Sequence, residues 1–136
     1  MAYDRERVIR VIPMAVVEMP EFRNQAAKVL PEEEILEMIT EIAQAPQAGA
    51  VIAGTGCLRK LRCAASGRGK RGGARVIYVY YGEDVPVFLL SCYPKNAKED
   101  LTAKEKKEFK KLVEVLRTAY EAGLHARIEK ARVRRA

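Results

Sequence analysis

The stretch GARVIYVYYGEDVPVFLLSCYPKN, residues 73–96, decides the fold class. β-Branched and aromatic residues dominate both of its halves, a composition that suits a half-buried extended chain. Gly82, Glu83 and Asp84 form a turn signal between them, so Ala74–Tyr81 and Val85–Tyr93 are expected to pair as an antiparallel hairpin. A third strand is expected over Cys57–Ala64, joined to the hairpin by the glycine-rich, basic linker ASGRGKRGG. Residues 44–56 (QAPQAGAVIAGTG) read as a loop.

On the amino-terminal side, Val11–Val17 is a possible first strand, weakened by Pro13. Pro20 opens a short helical pattern that Pro31 stops. A second helix is expected from Pro31, with Glu32, Glu33 and Glu34 in its first turn, where the helix dipole favours anions. Ile35, Met38, Ile39 and Ile42 recur at helical spacing and form its buried stripe. On the carboxyl side, Thr102 and Glu105 form a capping box, Phe109, Leu112, Val113 and Leu116 face inward, and Gly123 is the expected stop. The order of elements predicts an α+β fold, with two amino-terminal helices packed on a small antiparallel sheet and a final helix.

Charge is unevenly distributed. Net charge is +7 over 136 residues, and between Ile42 and Gly82 there is no acidic residue but seven basic ones: Arg59, Lys60, Arg62, Arg68, Lys70, Arg71 and Arg75. Residues 1–41 carry −4 and residues 117–136 carry +4. Charge runs are ordinarily solvated faces. This block is embedded in strand-like sequence, which makes a rigid cationic surface and points to a polyanion, nucleic acid first. No apolar run is long enough for a bilayer, and the amino end does not read as a signal peptide, so a cytoplasmic address is expected. Cys57, Cys63 and Cys92 lack CxxC spacing and His125 is the sole histidine, so the cysteines read as small apolar residues rather than zinc ligands.

Register arithmetic locates the chemistry. A hairpin centred near Glu83 places Arg75 opposite about Ser91, and the preceding connection places Arg62 near Val76. Arg62, Arg75, Tyr93 and Lys95 should then converge at one end of the sheet, overhung by Arg68, Lys70 and Arg71. Taken singly, Arg75 is an ordinary solvated charge and Tyr93 a packing residue with a wet hydroxyl. Together, guanidinium forks, an ammonium and a phenol describe a grip on a single-stranded RNA backbone. Cations would stabilise the charge that develops when a ribose 2′-hydroxyl attacks the adjacent phosphorus. The basic block contains no histidine or glutamate for proton transfer, which implies a catalyst that relies on positioning.

The strings VVEMPEF (16–22), GTGCLRKLR (54–62), GRGKRGGARVIYVYY (67–81), VFLLSCYPKN (87–96) and KEDLTAKEKKEFKKLV (98–113), in this order and spacing, resemble the RelE/ParE superfamily of bacterial toxins, closest to its HigB-type, RelE-like branch. The likeness covers roughly residues 14–117, leaving 1–13 as an amino-terminal extension and 118–136 as a basic carboxyl-terminal one. The resemblance implies an endoribonuclease, free of metal and cofactor, that enters the ribosomal A site and cuts translated mRNA. It also implies a helix-turn-helix antitoxin partner. Arg75 matches the family's phosphate-binding arginine, and Arg59, Lys60 and Arg62 fall in its basic first meander strand, with the inward-pointing member left open. Lys95 falls at the basic position after the last strand, as proton donor or charge stabiliser, and Tyr93 orients the base or the attacking hydroxyl. Cys57 stands where relatives of this branch usually have glycine. Two other readings are a ParE-like inhibitor of DNA gyrase and an inactive, antitoxin-binding relative.

Overall fold

The computed structural model describes residues 13–63, 73–98 and 100–135. Eight elements follow one another: β1 (Val16–Glu18), α1 (Pro20–Val29), α2 (Glu32–Gln44), β2 (Ala50–Val51), β3 (Leu58–Cys63), β4 (Ala74–Val79), β5 (Val87–Pro94) and α3 (Ala103–Arg135). The fold is α+β, with one five-stranded sheet in the order β1-β5-β4-β3-β2. The expected meander is β3-β4-β5, antiparallel throughout. The sheet as a whole is mixed rather than antiparallel, because β1 lies parallel to β5, Val16 beside Val87. The α1 and α2 helices form the crossover that a parallel return requires. A two-residue strand, β2, emerges from the segment read as loop and pairs with β3.

Each face of the sheet buries its own core. Phe22 and Ala26 from α1, Leu30 just past its end, and Met38 and Ile42 from α2 cover Ala74, Val76, Tyr78, Val87, Leu89 and Cys92. On the other face, α3 lays Val113 over Leu58, Ile77, Val79, Phe88 and Leu90, with Phe109, Leu112, Leu116 and Tyr120 packed around them. Strand alternation thus sorts β4 cleanly: even-numbered residues face α1–α2 and odd-numbered ones face α3.

The loop from α2 to β2 is held from beneath. The Tyr78 hydroxyl accepts the Gly49 N–H at 2.9 Å and donates to the Pro46 carbonyl at 2.7 Å. Arg59 Nη1 donates to the carbonyls of Gln47 and Gly49. Gly49 has to be glycine, since an added Cβ would lie 2.5 Å from the Tyr78 hydroxyl oxygen.

At its amino end α3 carries the expected capping box, with Glu105 N–H donating to Thr102 Oγ1 and Thr102 N–H donating to Glu105 Oε1. Two ion pairs surround that end. Lys60 Nζ on β3 meets Asp100 Oδ1 at 2.5 Å, and Lys98 meets Glu105. Gly123 does not stop the helix: α3 runs on to Arg135, and Gly123 keeps an ordinary helical backbone.

Tyr78→Phe should leave the Gly49 N–H buried without an acceptor, costing about 1–3 kcal/mol. Urea unfolding should show a lower midpoint with unchanged slope. Acid should loosen the start of α3. Hydrogen bonding from Lys60 holds the Asp100 carboxyl below its ordinary 3.8, and Lys98 does the same for Glu105 below 4.5. A depressed carboxylate contributes above its unfolded pKa and loses that contribution as pH falls through the folded one. Unfolding at about pH 5 and about pH 3 should therefore show a steeper loss for the wild type than for the Asp100→Asn/Glu105→Gln variant.

Candidate functional site

Three residues singled out in the sequence stand in one cross-strand row: Arg62 on β3 is directly opposite Arg75 on β4, and Arg75 is directly opposite Tyr93 on β5. The expected register differs by one residue at Arg62, which was set near Val76, and by two at Arg75, which was set opposite Ser91. Val79 pairs with Phe88 rather than Val87, which sets the hairpin centre half a residue past Glu83 and accounts for one residue of the displacement.

An irregular step in β5 completes the displacement. Ile77 pairs with Ser91 but Tyr78 pairs with Leu89, leaving Leu90 as the extra residue of a bulge. Up to Leu90 the strand alternates, with Phe88 and Leu90 in the α3 core and Leu89 in the α1–α2 core. Ser91 and Cys92 then both turn toward α1, and Tyr93 returns to the α3 side. Unbroken alternation would put Tyr93 on the α1–α2 face, away from Arg75. The step is clamped from α1, where Gln25 Oε1 accepts hydrogen bonds from Ser91 Oγ and from the Cys92 N–H, each at 2.9 Å. Sequence reading did not pick out Gln25, and its one signal is a polar residue among the apolar positions of a short helix.

The row lacks internal satisfaction. Arg75 Nε and the Tyr93 hydroxyl are both enclosed, and neither has a hydrogen-bond partner among the described residues. Such groups ordinarily find partners, so two at one place are open to water or to a ligand. Burial holds the Tyr93 phenol above its ordinary value, with Arg75 opposing the shift and Asp100 and Glu105 reinforcing it. At neutral pH Tyr93 is therefore a neutral hydrogen-bond donor. Its ring lies 4.8 Å under Lys98 Nζ, a cation–π contact.

Lys60 shares the α3 face with Arg62, since alternate residues of one strand point the same way and Lys60 reaches Asp100 beside α3. Lys60 and Lys98 thus flank the row, with Asp100 and Glu105 as their counter-charges. The ion pairs are partly exposed, so they stabilise little and serve to orient the lysines. The sequence reading singles out Glu105 as a cap and does not single out Lys98 or Asp100.

Lys95 follows β5 and is fixed through its backbone, its N–H donating to the Gly73 carbonyl at 2.8 Å just ahead of β4. Arg59 stands apart from the row. It lies opposite Tyr78 on the α1–α2 side, where its guanidinium bonds the Gln47 and Gly49 carbonyls and lies 5.9 Å from the Tyr80 ring centre. Arg68, Lys70 and Arg71 lie outside the described residues. The Cys63 thiol is pushed up to about 12 and Cys92 to about 11, both by burial, which keeps them as inert thiols. Among the described residues no group of histidine, cysteine or carboxylate side chains is arranged to hold a metal ion.

The chain resembles the solved free-state structure of Escherichia coli toxin RelE carrying two arginine-to-alanine substitutions. Identity is 21%, the match covers 65% of this chain and 90% of that one, and the TM-score is 0.46. The model of the RelE toxin of the RelE/RelB toxin–antitoxin system matches residues 14–135, spanning both the sheet that carries the row and the full length of α3. The chain therefore belongs to the RelE toxin family.

Proposed function

We propose that this toxin is a metal-independent, ribosome-dependent mRNA endoribonuclease of the HigB-like branch that acts in the cytoplasm and is neutralised by a cognate helix-turn-helix antitoxin. The observation that supports the reading best is the cross-strand row Arg62–Arg75–Tyr93, with Arg75 Nε and the Tyr93 hydroxyl enclosed and unpartnered among the described residues. A phosphodiester of a bent message strand satisfies both at once, since the guanidinium forks its two non-bridging oxygens and the phenol donates to one of them.

In the proposed reaction the ribose 2′-oxygen bonds to phosphorus and the bond to the 5′-oxygen breaks. The 2′-hydroxyl proton leaves and a proton is delivered to the departing 5′-oxygen, giving a 2′,3′-cyclic phosphate and a 5′-hydroxyl. Arg75 and Arg62 carry the added negative charge. Tyr93, neutral because it is buried, donates a hydrogen bond rather than accepting the proton. Lys95 serves as proton donor or further charge at the rim. Lys60, Arg68, Lys70 and Arg71 hold the flanking backbone, and Arg59 contributes by securing the loop beside it. Positioning carries most of the rate in such a site, and the ribosome presents the strand.

Induction in cells followed by mapping of mRNA 5′ ends should reveal cuts confined to translated messages. Intact messages with blocked DNA supercoiling would identify a gyrase inhibitor instead, and normal growth would identify an inactive antitoxin-binding relative. Tyr93→Phe should lower the cleavage rate roughly 100- to 1000-fold, as loss of a single buried donor to a developing anion does. Arg75→Ala should abolish toxicity in a protein that still folds, and Lys95→Ala should slow cleavage. Gln25→Leu removes the acceptor for the Cys92 N–H. It should cost about 1–3 kcal/mol of stability and slow cleavage even under conditions where the variant is fully folded by circular dichroism.

A further inference from the structure

The α3 helix outruns the body it packs on. Among the described side chains Tyr120 is the last that packs on the core. From Glu121 onward every residue whose side chain is described is exposed, and Ile128 retains 42% of its surface. The backbone nevertheless stays helical to Arg135. Fifteen residues of helix thus project from the sheet, about 22 Å at 1.5 Å per residue.

The projecting segment is cationic. Arg127, Lys130 and Arg132 are all exposed, and the sequence adds Arg134 and Arg135, with Glu129 as the single acid beyond Glu121. At 100° per residue these positions do not form one stripe: Arg127 and Lys130 continue the line of the core-facing residues, while Arg132 falls on the opposite side. A helix with cations on several sides and, among its described side chains, Ile128 as the exposed bulky apolar residue cannot pair well with its own copy, because like charges would be brought together. The Arg132–Glu129 pair at 3.6 Å and the Arg127 bond to the Gly123 carbonyl are exposed contacts that yield easily to a stronger anion.

Its distance from the row is the second consideration. The row and its lysines adjoin the amino end of α3, and Arg127 is 24 residues along the same helix from Ala103, about 36 Å away. That is several times the Debye length of about 8 Å at physiological salt, so the two cationic groups act independently. Exposed Lys104, Lys107, Lys110 and Lys111 keep the amino half of α3 cationic, and over the roughly 24 Å between Lys111 and Arg127 the charges are Glu114 and the Arg117–Glu121 ion pair.

We propose that the carboxyl-terminal segment of α3, Glu121–Arg135, is a second RNA-binding element that docks on the phosphate backbone of a duplex RNA, distinct from the strand held at the sheet. RNA is the partner because the site on the same molecule is read as RNA-directed, and the inference rests on that reading for the choice of polyanion. A-form RNA presents phosphates and 2′-hydroxyls across a wide, shallow groove, a surface that a projecting cationic helix meets without reading sequence. In the setting of a ribosome the duplex is ribosomal RNA, and the arm anchors the toxin while the row engages the message.

The test uses the full chain and a blunt RNA duplex without single-stranded overhangs, followed by fluorescence anisotropy across a salt series. Arg127→Ala/Lys130→Ala/Arg132→Ala, which keeps good helix formers throughout, should weaken binding roughly tenfold or more near physiological salt. It should also reduce the slope of log affinity against log salt by about three. Arg75→Ala should keep both the affinity and the slope. Equal binding by the triple variant and the wild type overturns the proposal. So does a loss in Arg75→Ala as large as that in the triple variant, which would assign duplex binding to the sheet. A wild-type dimer that the triple variant converts to monomer in sedimentation would assign the arm to a second copy and also overturns it. Cleavage plays no part in these measurements, so failure of the nuclease reading shows separately, as uncut translated messages.

Discussion

Two hydrogen bonds into one amide oxygen decide the geometry of the site. Gln25 Oε1, reaching up from α1, accepts from Ser91 Oγ and the Cys92 N–H and so holds the irregular step in β5. A strand has a side-chain period of two, so one extra residue exchanges the faces of everything beyond it. Tyr93 stands beside Arg75 because that exchange occurs two residues earlier. The clamp acts from the face of the sheet opposite the row, and neither Ser91 nor Gln25 has any place in the chemistry. A buried backbone N–H without an acceptor is costly, which is why the bulge and the glutamine belong together.

The sheet separates two tasks that the sequence sets on two adjacent residues. Arg59, with Tyr78, secures the α2–β2 loop on one face, whereas Lys60 turns to Asp100 and α3 on the other. Both carry the same charge, and only the alternation of the strand assigns one to architecture and the other to the cationic row. The acidic α1–α2 layer, with Glu21, Glu32, Glu33, Glu37 and Glu41 all exposed, lies behind the sheet. A polyanion approaching the molecule is repelled from that side and drawn to the row, so orientation is built into the placement of charge.

Much of this was legible in the chain. The meander followed from β-branched runs separated by turn signals, the α2 stripe from helical spacing, and the start of α3 from Thr102 and Glu105. The gathering of Arg62, Arg75 and Tyr93 at one end followed from pairing arithmetic even though the register was off, because an error of one or two residues moves partners along a strand without moving them to another edge. Four features were not legible. The parallel pairing of β1 depends on a non-local partner. The bulge depends on a hydrogen bond from a different element. Lys98 comes to Tyr93 through the fold of a short polar connection, and α3 passes through Gly123, whose intrinsic preference as a stop is overridden in a helix already anchored over four turns.

Residue types and their order alone determined an α+β chain with a cationic meander, because periodicity, turn chemistry and charge are local properties, and the order and spacing of five strings carried the resemblance to a toxin family. Tertiary structure alone decided which cations share a face, which hydroxyl is enclosed without a partner among the described residues, and how far the last helix extends past its support. Those depend on strand phase and on contacts between residues distant in the chain, such as Gln25 with Cys92 and Lys60 with Asp100. No local pattern encodes them, because each is settled only when two separate surfaces meet.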